Sequence, residues 1–296
     1  MERLISKLLP NALQQKMRQS NYYTHRTARS LASSSKRIDI CSAQFAHIFH
    51  LSKHPSIEDK ICLEIGAGWV LTHALVCYLL GAKRVIATDI VPCARPDTIS
   101  LALRGAIPSI PRDILAPFSD HARIRERLDR LLSISQFTFD ALKQLGIEYL
   151  SPVDFSVEKV NTPVDFIFSN SVLEHVPNND VPALLNNLVA SLNQGGTMIH
   201  CIHLEDHKDI NRCPFEFLKI PENRYTRKLQ SERGNRIRCS EWRRLFGNIE
   251  GTNTDFIYSY SRLDKALPKK SDASISYHDE LDLRTSHIGV YTRKEE

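Results

Sequence analysis

Ile61-Cys62-Leu63-Glu64-Ile65-Gly66-Ala67-Gly68 is the stretch on which the fold of this chain turns. Its apolar residues form a short β-branched run, as in a strand buried on both faces, and it ends in an acid and two closely spaced glycines. Gly66 and Gly68 permit a tight turn whose main chain can approach a ligand, and the helical pattern that follows offers unpaired N–H groups. A strand, a glycine turn and a helix in that order open a doubly wound parallel sheet.

Working outward, short apolar runs alternate with helical patterns. The expected strands are Lys60–Ile65, Arg84–Thr88, Ile147–Leu150, Val164–Ser169 and Thr197–His203, followed by Asp255–Tyr260 and His287–Thr292. Helices are expected over Val70–Leu80, Asp180–Leu192 and Ser240–Phe246, with Gly81 and the pair Gly195-Gly196 placed where helices should stop. The sequence therefore predicts one α/β domain, a seven-stranded and mostly parallel sheet. Two segments exceed the minimal pattern. Residues 92–146, with helical stretches Ile124–Leu132 and Phe139–Leu145, read as a cap near the strand ends, and residues 205–239 as a basic insertion. Residues 1–59 read as an N-terminal helical extension, leaving 60–296 as the main domain.

Composition fits a globular chain of enzyme size: 296 residues, 42% hydrophobic and 25% charged. The formal charge of +5 is unevenly spread. Residues 1–37 hold eight bases and one acid, and Lys208–Arg244 eleven bases and five acids, so the remainder is acidic. Two local basic patches on an acidic body argue against a general nucleic-acid binder. Seven cysteines without a CxxC pair argue against a disulfide framework or zinc cluster and suit a reducing compartment, the cytoplasm. No apolar run is long enough to span a membrane. Leu4, Ile5, Leu8, Leu9 and Leu13 recur at helical spacing opposite Lys7, Lys16 and Arg18. That pattern suits a solvated basic helix, a peripheral membrane-surface or partner contact, or a targeting segment.

Asp89 ends the second expected strand about twenty residues after the glycines, where a carboxylate can grip two ribose hydroxyls. A dinucleotide fingerprint needs a further glycine, which Gly66-Ala67-Gly68-Trp69-Val70-Leu71 lacks, and Glu64 would set negative charge where a pyrophosphate must lie. An adenosine bearing an ammonium group fits better. At this point the chain resembles the class I, Rossmann-like S-adenosylmethionine-dependent methyltransferases. Leu63–Gly68 looks like their first motif, Ala87-Thr88-Asp89 like the ribose acid, Val164–Val176 like the fourth strand and its sequel, and Leu192–Ile199 like the turn into the fifth. Val70 departs from the family, many of whose members carry a third glycine there.

The resemblance implies S-adenosyl-L-methionine as cofactor and assigns roles residue by residue. Glu64, Gly66 and Gly68 would line its methionine side, Asp89 would hold the ribose and Asp154 the adenine amino group. Asn170 and Ser171 would close the pocket floor. Glu174 and His175 follow the fourth strand at the carboxyl end of the sheet, and His175 is the expected general base for a hydroxyl, with His203 second. His203, Asp206 and His207 are expected to line an acceptor pocket beside His175, while strand alternation sends His200 to the opposite face. With Glu174 they could hold a divalent ion, but the commoner reading is a bonded strand end and loop, so no metal ligand is assigned.

Asn235–Phe246 loosely resembles segments of bacterial methyltransferases encoded with cell-surface glycan pathways. The expected reaction is methyl transfer to a hydroxyl, or an amine, of a small-molecule or glycan-like acceptor. Two alternatives remain beside it: a cofactor-binding module without transfer activity, and a nucleic-acid methyltransferase. Ser169-Asn170-Ser171-Val172 speaks against the second, since many amino-methylating nucleic-acid enzymes carry an Asn/Asp-Pro-Pro-aromatic turn there.

Overall fold

A computed structural model of the chain describes residue 30 and residues 37–53, 56–106, 109–160 and 162–295. The N-terminal Leu4–Arg18 pattern lies outside the described residues.

The strands are β1 (Ile61–Ile65), β2 (Arg84–Thr88), β3 (Ile147–Leu150), β4 (Val164–Asn170), β5 (Leu192–His203), β6 (Thr252–Ser261) and β7 (Thr285–Lys294). They form one sheet in the order β3-β2-β1-β4-β5-β7-β6. Pairings among β1 to β5 are parallel, and β7 runs antiparallel between β5 and β6. The sheet reverses its winding between β1 and β4, and in such sheets ligands bind in the crevice outside the strands' carboxyl ends.

Alternation along the strands sorts their side chains into two apolar layers. Cys62, Val85, Ala87, Phe166, Phe168 and Ile199 pack beneath α1 (Arg37–Ser52) and α2 (Thr72–Leu79). Leu63, Ile86, Ile167, Met198 and Ile202 pack against α7 (Val181–Ser191) and α9 (Cys239–Gly247), whose Leu184, Leu188, Trp242 and Phe246 are buried. Coverage on both faces is why these strands read as continuous apolar runs. Helix α1 contributes Ile38, Phe45, Ile48 and Phe49 to the core. No described helix is long and apolar enough to cross a membrane.

Two expectations are corrected. Gly195-Gly196 does not end a helix: α7 stops at Ser191 and β5 begins at Leu192, so the glycines lie inside the strand. Pairing shifts register between Val164 and Phe166 on the neighbouring β4, and Gly195 takes φ +69° there, so the pair forms an irregularity rather than a cap. The 92–146 segment forms α3 (Pro96–Arg104), α4 (Ser109–Leu115), α5 (His121–Leu132) and α6 (Phe139–Gln144). Within it α3 stands by the β1 turn, where Thr98 Oγ1 donates to the Trp69 carbonyl. Helix α5 lies elsewhere: its Ile124, Leu128 and Leu131 join the α1–α2 layer, and Arg127 donates to the carbonyls of Tyr78, Gly81 and Ala82. An apolar stripe drew it onto that layer and away from the strands' carboxyl ends.

Candidate functional site

A cavity of about 420 Å³ opens at the carboxyl ends of β1 and β2 and the turn after β4. Gly66, Asp89, Asp154 and His175 all line it. Gly66 and Gly68 adopt φ +68° and +66°, a region that favours glycine. A Cβ on Gly66 would stand 2.3 Å from Val172 Cγ2, so the turn after β1 and the turn after β4 touch at this point. The third-glycine position is met differently: Val70 is buried with Ala102, and Leu71 takes the left-handed conformation, φ 50°, at the start of α2.

Asp89 is held by two backbone amides. Gly68 N donates to its Oδ2 at 3.0 Å and Val91 N to its Oδ1 at 3.1 Å, which leaves lone pairs on both oxygens for a ligand. Asp154 Oδ1 accepts from the amide and the hydroxyl of Ser156, at 2.9 and 2.6 Å, and so is fixed against the cavity wall. The apolar lining comes from residues that the motif reading did not single out: Ile90, Val153 and Phe155. Ile90, directly after Asp89, is 59% exposed although large and apolar, a signal that only the structure supplies.

Glu64 lies on the α1–α2 face, 2% exposed. Its Oε1 is 3.3 Å from His73 Nδ1, while Oε2 has no hydrogen bond within the protein. His73 Nε2 reaches Gln44 Oε1 at 3.2 Å, and Gln44 Nε2 donates to Asn170 Oδ1 at 2.5 Å. Burial disfavours a charged His73, but Cys41, whose own thiol pKa is lowered beside this ring despite burial, and the Glu64 carboxylate outweigh it and raise its pKa to about 10. Both ring nitrogens then donate, one to Glu64 and one to Gln44. Ser171, in the left-handed region at φ 55°, donates its amide to the Cys201 carbonyl at 2.9 Å, so its part here is played by the main chain.

Beyond β4, a 3₁₀ turn spans Leu173–His175. His175 Nδ1 is 2.7 Å from the Ser231 carbonyl, which can only accept. The ring proton therefore sits on Nδ1, and Nε2 carries the lone pair. Burial lowers the pKa of His175 against the raising effect of Glu174, with His207 adding to the lowering. Ring centroids run from His175 to His207 (4.4 Å), on to His203 (4.6 Å) and on to His287 (4.2 Å, stacked).

The structure sets the rings of His175, His207 and His203 in one file, but of the three only His175 lines the cavity, and Asp206 stands apart. That carboxylate is taken by the fork of Arg233, whose Nε donates at 3.0 Å. His203 Nε2 meets Glu205 Oε2 at 2.7 Å, and Arg262 Nη1 donates to Glu205 Oε1 at 3.2 Å. His200 faces the other way as expected, its Nδ1 bonded to Ser169 Oγ at 2.7 Å. His287 was missed, since it reaches the cluster by pairing with His203 across the antiparallel β5–β7 ladder. Linear spacing carries no sign of that pairing.

The basic segment is mostly engaged internally. Arg238 is fully buried and donates to the carbonyls of Leu204, Leu283 and Thr285. Arg236 pairs with Glu222 and lies 3.8 Å from the Tyr225 ring centroid. Arg227 and Lys228, from α8 (Arg227–Arg233), are the members that line the cavity.

A family model described as a methyltransferase domain matches residues 41–262, well over half of the chain. No curated protein matches it. Among solved structures, an S-adenosylmethionine-dependent methyltransferase from Mesorhizobium loti is 15% identical with TM-score 0.45, covering 85% of this chain and 98% of that one. The magnesium protoporphyrin IX methyltransferase of Synechocystis PCC 6803, with bound SAH, is 10% identical with TM-score 0.45, over 88% and 86%. The DhpI–SAH complex is 16% identical with TM-score 0.46, over 93% and 94%.

Proposed function

The chain belongs to the class I S-adenosylmethionine-dependent methyltransferases, and from that premise we propose that it methylates a hydroxyl of a small-molecule or glycan-like acceptor held beside His175. Its cofactor is S-adenosyl-L-methionine, and the residues present suit it. Gly66 has no Cβ where the main chain must approach a ligand, Asp89 keeps free lone pairs, and Glu64 Oε2 is a buried carboxylate oxygen without a partner.

When bound, the cofactor supplies a methyl carbon on a sulfonium, which departs leaving its bonding pair on sulfur. The protein's task is then to align the acceptor oxygen, exclude water and help the hydroxyl lose its proton. Asp89 would accept from the ribose hydroxyls, Asp154 from the adenine amino group, and Ile90, Val153 and Phe155 would cover the base. Glu64, with Gly66 and Gly68, would face the methionine end. Asn170 and Ser171 would support the floor, Asn170 through Gln44 and Ser171 through its main chain.

The observation that carries the acceptor reading is the orientation of His175. Its Nδ1–H is tied to the Ser231 carbonyl, its Nε2 carries the lone pair, and its ring lines the same cavity as Asp89. Glu174 behind it stabilises positive charge on that ring. His203 stands two rings away and bonds Glu205, so it acts through the file of rings. The residues 205–239 wall this side, and acceptor specificity is assigned to them.

The test is incubation with ¹³C-methyl-labelled cofactor and matched panels of hydroxyl and amine acceptors. Label in a methyl ether, lost in His175→Ala, is the expected outcome. Label only on nitrogen would overturn the hydroxyl reading. Absence of cofactor binding in calorimetry would overturn the enzymatic one.

A further inference from the structure

We infer that Glu174, His175 and His207 form a binding site for one divalent first-row transition-metal ion. The inference rests on the proposed acceptor site and changes how its proton is lost, because the His175 lone pair would hold the ion instead of taking the proton itself.

Glu174 is 1% exposed, and neither carboxylate oxygen has a hydrogen bond. His207 Nε2, an atom itself buried and without a hydrogen bond, stands 3.5 Å from its Oε1. Two buried polar atoms that face each other unbonded are a costly arrangement unless a third body lies between them. The ligand atoms of Glu174, His175 and His207 lie within 4.8 Å of one another. Nitrogen and oxygen donors stand about 2.0–2.2 Å from such ions, so donors to one ion are about 3–4 Å apart, and small side-chain shifts close the gap.

His175 has the environment of a ligating imidazole. Its Nδ1–H donates to the Ser231 carbonyl at 2.7 Å, which fixes the ring and leaves Nε2 with the free lone pair. Two imidazoles and one carboxylate are a donor set for zinc, iron, cobalt or manganese rather than for calcium or magnesium, and they leave coordination positions open. With the ion in place His175 acts as a ligand, and the ion's charge favours loss of the acceptor's proton. The neighbouring group of His203, Glu205 and His287 is also compact, but its carboxylate is already satisfied by His203 and Arg262.

The test uses chelator-stripped, tag-free full-length protein titrated with Co²⁺, followed by visible d–d absorption and by calorimetry. The expected result is one ion per chain, with affinity at least about 100-fold weaker in His207→Ala and in the near-isosteric Glu174→Gln, while His287→Ala binds as the parent does. Demethylated-cofactor binding, measured in parallel, reports that each variant is folded. No Co²⁺ binding by the parent, or binding unaffected in both Glu174→Gln and His207→Ala, overturns the inference. Loss in His287→Ala alone moves the ion to the other group and also overturns it. Failure of the parent to bind demethylated cofactor, with Co²⁺ still bound, overturns the function instead.

Discussion

His73 and Glu64 face each other at 3.3 Å, Nδ1 to Oε1, both screened from solvent beneath α1. The acid at the end of β1 thus has a built-in counter-charge, and its Oε2 has no hydrogen bond within the protein. The same imidazole reaches Gln44 of α1, and Gln44 holds Asn170 at the end of β4. One short chain of polar side chains therefore links α1 to both strands that flank the switch point of the sheet.

His73 should remain protonated well above neutrality, since its folded pKa is about 10 against an unfolded value of about 6.5. A folded value above the unfolded one means stability fully present below pH about 6.5 and lost as the pH rises through about 10. Imidazole resonances followed by NMR should give the high midpoint, and Glu64→Gln should lower it. The gap in thermal stability between parent and Glu64→Gln should be widest in mild acid and close toward alkaline pH. A His73 midpoint near the ordinary value would refute the pairing.

Asp89→Asn should weaken cofactor binding by about 10- to 100-fold, the worth of about 1.5–3 kcal/mol for hydrogen bonds to a charged acceptor. The fold should survive, because the asparagine oxygen can still accept from Gly68 N or Val91 N. Calorimetry with the demethylated cofactor reads the loss, and an unchanged dissociation constant would remove Asp89 from the ribose.

Gly66→Ala should abolish cofactor binding and cost several kcal/mol, since its Cβ would meet Val172 at 2.3 Å in a backbone region that alanine avoids. Adding Val172→Ala removes the collision but not the strained φ. The double variant should therefore recover part of the melting temperature and little of the affinity. Full recovery would show that the contact alone demands glycine.

How much of this was legible in the sequence follows from range. All seven strand positions and the glycine turn came from local pattern, most clearly in β1, β2 and β4, where coverage on both faces demands apolar residues throughout. Gly195-Gly196 misled because a glycine pair signals a helix end and a strand irregularity equally well. Ile90 follows Asp89 without any motif of its own. His287, more than eighty residues beyond His203, meets it only through the β5–β7 register. Asp206 looked available until Arg233 arrived from a separate helix. Residues fixed by neighbours in the chain were readable, and those fixed by distant elements were not.

His200 should make the protein acid-sensitive. Burial lowers its pKa to about 3 against about 6.5 unfolded, so below the unfolded value only the unfolded chain takes up the proton. Its contribution to stability is present above pH about 6.5 and is lost progressively as the pH falls toward about 3. His200→Gln retains an acceptor for Ser169 Oγ but does not titrate. Melting temperatures measured from neutral to mildly acidic pH should fall less steeply for this variant, and parallel curves would exclude His200 as the cause.

His175→Ala should reduce kcat by about 10²-fold or more, whether its Nε2 takes the acceptor's proton or holds the ion that promotes the proton's loss, with cofactor affinity nearly intact. The reason for the split is geometric: under the proposed function Asp89 and Gly66 would hold the cofactor, and His175 bonds neither of them. His203→Ala should cost less, because its Nε2 is committed to Glu205 and its ring meets His175 only through His207. Steady-state kinetics with cofactor dissociation constants measured alongside would separate the cases. A fall in affinity without a fall in kcat would make His175 a wall of the cofactor pocket, and an equal loss in both variants would mean that the file of rings acts as one unit.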